Sequence, residues 1–125
     1  MKETFPNRFD IFYGKSDVTI PAAYRKLHLS CDIIVVDGGH LDDQTLKDIV
    51  NIKRLSHENS LILVDDTAYG AGYSEPVMAS INKLLKCSFI NVQFMCSLIA
   101  PGEGPRGFSM FTYNHNNDNC IFGLP

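Results

Sequence analysis

Residues 31–40 read CDIIVVDGGH and residues 60–67 read SLILVDDT. Each is a short, unbroken apolar run that stops at carboxylates. Runs of this kind mark parallel strands covered on both faces, and the segment between them is the length of one helix. Neighbouring parallel strands joined by a helix bring their carboxyl ends to one rim, where open α/β sheets bind ligands. Asp37, Asp65 and Asp66 are therefore expected to gather there. Three carboxylates so close repel one another unless protons or a cation neutralise them. A divalent metal site is the first expectation, and an all-oxygen donor set suits Mg2+ or Ca2+ better than Zn2+.

Outward from these runs the pattern alternates strand and helix. Toward the amino terminus, Phe9–Tyr13 (FDIFY) is a strand candidate stopped by Gly14, and Ile20–Leu29 reads as a helix with Pro21 in its first turn. Asp42 or Asp43 is expected to cap a helix in which Leu46, Ile49 and Val50 recur, ending near Leu55. His57–Asn59 then makes a turn before the strand Leu61–Val64. The glycine-rich loop TAYGAGY (Thr67–Tyr73) reads as mobile, and Ser74 caps a further helix with Pro76 in its first turn. Phe89–Ile99 and Gly107–Tyr113 are two strands joined by a Pro/Gly-rich connection, an antiparallel hairpin. The order gives an α/β fold with a mixed sheet over residues 1–113. Residues 114–125 read as a loose polar tail.

Composition narrows the function classes. The chain has 125 residues, 45% of them apolar, enough for one domain or a piece of one. Its net charge of -3 gives non-specific nucleic-acid binding no electrostatic footing. No run approaches the roughly 18 apolar residues of a membrane span. The four cysteines are scattered and are expected as reduced thiols in a cytoplasmic protein.

Together these motifs resemble the second half of a class I S-adenosylmethionine-dependent methyltransferase, in particular the metal-assisted small-molecule O-methyltransferases. Val36, Asp37, Gly38, Gly39 and His40 match the family's I-D-G-x-H after its fourth strand. Val64–Thr67 (VDDT) matches the acidic pair after the fifth, and Phe9–Ser16 (FDIFYGKS) stands where the third strand and its G-D-S lie. The likeness covers residues 5–113. It implies a Rossmann-like partial sheet with helices mainly on one face and O-methyl transfer to a small-molecule acceptor. Gly14, Lys15, Ser16 and Asp37 would touch the cofactor S-adenosylmethionine. Asp37, Asp65 and Asp66 would hold a metal, and His40 with Asp37 would be catalytic, His40 as the base. An imidazole suits proton abstraction near neutrality.

The departures matter equally. The family's glycine-rich loop after strand one and its acid after strand two are not in this chain, so cofactor binding by these residues alone is expected to be weak. Lys15 replaces the aspartate of G-D-S, and Gly39 stands where relatives often carry an acid. Without strands one and two, Phe9–Tyr13 has no neighbour unless it slides beside Ile33–Val36. One apolar sheet face is left bare, so a second copy of the chain, or a missing amino-terminal half, is expected to cover it. Two other readings stand beside this one: a non-catalytic degenerate methyltransferase serving as an interaction module, and a metal-dependent hydrolase using Asp37, His40, Asp43, Asp65 and Asp66. His28, His57, His115 and Arg106 read as solvated surface groups, and Tyr69 and Tyr73 as loop residues.

Overall fold

A computed structural model describes residues 9–102 and 104–117. Ile33–Val36 are all β-branched, a side-chain shape that restricts χ1 and packs well on a pleated surface. They form most of β1 (Cys31–Val36), which pairs in parallel with β2 (Ser56–Asp65), Ile34 opposite Ile62 and Val36 opposite Val64. β2 is longer than its apolar run. It absorbs His57–Asn59, which form a bulge inside the strand: the register jumps from Cys31↔Ser56 to Ile33↔Leu61. Ser60 secures the bulge, its hydroxyl donating to the Cys31 carbonyl at 2.6 Å and accepting from the His57 amide at 2.7 Å.

The carboxyl-terminal hairpin consists of β3 (Ile90–Ala100) and β4 (Gly104–Tyr113), with β4 lying antiparallel against β2. The four-stranded sheet therefore runs β1-β2-β4-β3. This is the mixed α/β arrangement that the apolar runs predict.

Three helices complete the described fold: α1 (Ser16–Leu27), α2 (Gln44–Ile52, continued by a 3-10 turn at Lys53–Leu55) and α3 (Glu75–Lys86). Ile49 of α2 and Val77, Ile81 and Leu84 of α3 are buried against one sheet face, with Ile62, Val64, Phe89 and Phe111. Full burial of such a side chain contributes about 1.5–3 kcal/mol, so this layer carries most of the fold's apolar stabilisation. α1 packs against α2 and buries no residue fully. It begins earlier than its apolar spacing suggests, which leaves Pro21 inside the helix, where it cannot donate the usual backbone bond.

Among the described residues nothing covers the opposite face. Ile33 is 69% exposed and Val35 59%, with Phe94 and Phe108 exposed on the neighbouring strands. Four expectations need correction. Phe9–Tyr13 is not a strand; it lies near α1, with Lys26 over the Phe12 ring at 5.2 Å. A strand needs a neighbour for its backbone groups, and this segment does not pair with β1, which stays at the sheet edge. The loop after β2 is pinned rather than loose, because Thr67, Ala68 and Ala71 are buried. Of the polar stretch 114–125, residues 118–125 lie outside the described residues, and the described part is held through Asn117, which donates to the Cys87 carbonyl at 2.7 Å. Finally, Cys31 and Cys96 are free thiols, but Cys87 is disulfide-bonded.

Candidate functional site

Because β1 and β2 are parallel, their carboxyl ends meet at one rim. Asp37 follows β1 and Asp65 closes β2, and both are exposed. Adjacent strand residues point to opposite faces, so Asp66 would ordinarily turn away from Asp65. It does not, because Asp66 takes a left-handed conformation with φ at 56°, one that aspartate tolerates better than most residues. Its amide donates to Asp65 Oδ1 at 2.8 Å. The outcome is a cluster in which one carboxylate oxygen each from Asp37, Asp65 and Asp66 lies within 4.8 Å of the others.

None of the three is paired with lysine or arginine among the described residues. Oxygens on opposite sides of Ca2+ are about 4.6–5.2 Å apart, and of Mg2+ about 4.0–4.2 Å. Three carboxylate oxygens within 4.8 Å of one another are a donor set of the all-oxygen kind that hard divalent cations take.

His40 joins this cluster through Asp66, its Nε2 lying 3.0 Å from Asp66 Oδ2, with both side chains largely shielded. An ionised carboxylate only accepts, so the neutral imidazole carries its proton on Nε2 and keeps the Nδ1 lone pair free. The His40 ring stacks on Tyr73, with centroids 6.5 Å apart and planes at 28°. Tyr73 donates its hydroxyl to the Pro105 carbonyl, and the Arg106 guanidinium lies 6.0 Å from its ring. Arg106, expected to be a free surface charge, is thus a cation–π neighbour of the site.

The other predicted residues are spread along the same rim. Gly14 turns the chain into α1 with φ at 132°, Lys15 is exposed at the helix start, and Ser16 opens the helix. Ser16 Oγ accepts from Gln44 Nε2 at 2.8 Å, and the same amide donates to Asp48 Oδ1 at 2.9 Å. Asp48 is buried and faces the DGGH loop: a Cβ on Gly38 would sit 3.2 Å from Asp48 Oδ2. Gln44 and Asp48 were not singled out by sequence; the only available signal was a buried acid one turn beyond a polar residue in α2.

Asp43 stands apart from the acidic cluster. Its carboxylate binds Lys47 at 2.8 Å, and that hydrogen bond lowers its pKa while raising that of Lys47. It occupies the N-cap position of α2 without making a capping bond, because the side chain is turned to Lys47 instead.

A family model described as a methyltransferase domain matches residues 2–67. Among solved structures, the complex of M1.HpyAVI with SAM is 13% identical, with a TM-score of 0.62 over 83% of this chain and 52% of that one. The SAH-bound Podospora anserina methyltransferase PaMTH1 is 18% identical, with a TM-score of 0.62 over 90% of this chain and 52% of that one. A candidate O-methyltransferase from Klebsiella pneumoniae is 14% identical, with a TM-score of 0.54 over 75% and 46%. This chain spans about half the length of these structures. No curated protein matches it.

Proposed function

The chain belongs to the methyltransferase domain family, and on that premise we propose that its acidic rim is the acceptor end of an S-adenosylmethionine-dependent O-methyl transfer to a small molecule. The observation that carries this reading is the shared Asp66, which joins the acidic cluster to His40. Methyl transfer needs little covalent help from a protein; it needs the nucleophilic oxygen aligned and relieved of its proton.

Asp37, Asp65 and Asp66 would hold a divalent cation, Mg2+ or Ca2+. When bound, such a cation would lower the pKa of an acceptor hydroxyl. His40 supplies the base: Asp66 fixes its tautomer, so Nδ1 is the atom that takes the proton. Tyr73 stacks on the imidazole and restrains its ring. Asp66 keeps a second oxygen for a cation while Oδ2 accepts from His40.

For the cofactor, this chain supplies one side of a crevice only. Ser16, held by Gln44, and Asp37 lie on that side, whereas among the described residues β1 is an edge strand with no neighbour to form the other. The residues present fit part of the cofactor, and binding by this chain alone is expected to be weak. The hydrolase reading loses Asp43 to Lys47.

Calorimetric titration with S-adenosylmethionine, with and without Mg2+, tests the proposal. Cofactor binding that strengthens in the presence of the cation is the expected result. Cation binding without any response to the cofactor points to a hydrolase instead. Binding of neither overturns the catalytic reading and leaves an interaction module.

A further inference from the structure

β4 begins beyond the end of its neighbour. Phe108 of β4 lies opposite Asp65, the last residue of β2, whereas β4 itself starts at Gly104. Residues 104–107 therefore overhang the acidic rim. Two bonds fix the overhang there: the Thr67 amide donates to the Gly107 carbonyl at 2.9 Å, and the Tyr73 hydroxyl donates to the Pro105 carbonyl. Arg106 stands between these two ties and is exposed.

Among the described residues the Arg106 guanidinium makes no ion pair. It lies 6.0 Å from the centre of the Tyr73 ring, a contact that uses none of its five N–H donors. Tyr73 in turn stacks on His40, with ring centres 6.5 Å apart, and His40 bonds Asp66 of the acidic cluster. One aromatic ring thus links two poles of opposite charge. At one are three carboxylates without lysine or arginine; at the other is an arginine without a carboxylate. A ligand that satisfies both carries oxygens for the acidic pole and an anion for the guanidinium.

We propose that the acceptor of this site is a small hydroxy compound bearing a carboxylate, and that Arg106 is the residue that selects it. The proposal rests on reading the rim as the acceptor end of methyl transfer, and adds the substrate class. A planar guanidinium fork matches a carboxylate through two parallel N–H···O bonds, and holding the fork near Tyr73 lowers the ordering cost on binding. The two distances through Tyr73 bound the separation of guanidinium and imidazole by their sum. That span admits one aromatic ring with a hydroxyl at one end and a carboxylate at the other. Charge also sets the orientation. Three carboxylates outweigh one divalent cation, so the acidic pole disfavours the anionic end of the ligand. The hydroxyl therefore faces His40 and the carboxylate faces Arg106.

The test is calorimetric titration of the intact chain, in excess Mg2+, with two probes of nearly the same shape: protocatechuate, a benzoate with two adjacent hydroxyls, and its neutral amide. Both offer hydroxyls to the cation, and only the first offers an anion. The acid is expected to bind at least about tenfold tighter than the amide, as a charge-assisted bidentate pair does. Arg106→Gln is expected to remove that preference while the amide binds as it does to the parent. Arg106→Lys is expected to restore part of the preference, because lysine supplies the charge without the fork. Equal binding of acid and amide by the parent overturns the substrate class but leaves the acceptor end standing. A preference for the acid that survives Arg106→Gln does the same, and would put the carboxylate on the cation. Binding of neither probe overturns the acceptor reading together with this proposal.

Discussion

His40 Nε2 lies 3.0 Å from Asp66 Oδ2, and the same Asp66 completes the acidic cluster with Asp37 and Asp65. One carboxylate therefore serves two neighbours, which makes the roles of the three acids separable. Asp37 is exposed and contributes to the cluster alone. Asp37→Asn is expected to weaken Ca2+ binding at least about tenfold, since affinity follows the number of charged ligands, while the metal-free protein melts no lower. His40→Gln removes only a partner of a ligand, and is expected to weaken binding less than Asp37→Asn does. Calorimetric Ca2+ titration of the three proteins checks this; unchanged affinity in Asp37→Asn would place the cation elsewhere.

Gly107 holds the loop after β2 against the hairpin. Its carbonyl accepts from the Thr67 amide at 2.9 Å, and a Cβ at this position would lie 2.6 Å from the Cys96 carbonyl oxygen and 2.9 Å from the Ala68 backbone. Those neighbours are main chain and cannot rotate away. Gly107→Ala is expected to cost about 1–3 kcal/mol, the range of overpacked sites, read as a lower urea midpoint. The adjacent exposed Arg106→Ala should leave that midpoint nearly unchanged.

The parallel pair and the hairpin were legible because continuous β-branched runs and Pro/Gly connections report on backbone preference directly. The meeting of Asp37 and Asp65 at one rim followed from strand direction alone. Less visible was how Asp66 joins Asp65: alternation along a strand separates them, and only the left-handed turn at Asp66 reunites them. Phe9–Tyr13 has strand-like composition but no pairing partner among the described residues, and pairing is a property of the whole sheet. Ser74 was legible as a helix start, yet its hydroxyl serves the Ala68 and Ala71 carbonyls of the loop. Such choices depend on tertiary neighbours that no local window contains.

Gln44 bridges two elements with one amide, donating to Ser16 Oγ and to Asp48 Oδ1. Asp48 is buried, so removing its donor leaves a carboxylate oxygen without that bond. Gln44→Ala is expected to cost about 1–3 kcal/mol, the penalty for an unsatisfied buried polar group. Gln44→Glu is expected to cost more, because it sets a second carboxylate against Asp48. Urea unfolding of both variants decides the order; a Gln44→Glu protein as stable as the parent would show that Asp48 does not depend on this donor.

Tyr113 links the sheet to α2, its buried hydroxyl donating to the Ile49 carbonyl at 2.6 Å. Burial raises the pKa of this phenol well above the ordinary value. The unfolded chain releases the same proton near pH 10, about the model phenol value. Above that pH the folded protein binds more protons than the unfolded one, so the unfolding free energy falls as pH rises. The stability associated with the neutral phenol is therefore complete below about pH 10 and is lost as pH climbs toward the folded pKa. Tyr113→Phe removes the hydroxyl and is expected to cost about 1–2 kcal/mol at pH 7 through the lost hydrogen bond. It also removes the titration, while the remaining tyrosines are common to both proteins. The stability gap between parent and variant should consequently narrow from pH 10 to 12, as measured by urea unfolding across that range. A gap that stays constant would mean that the phenol ionises as readily in the folded protein as in the unfolded one.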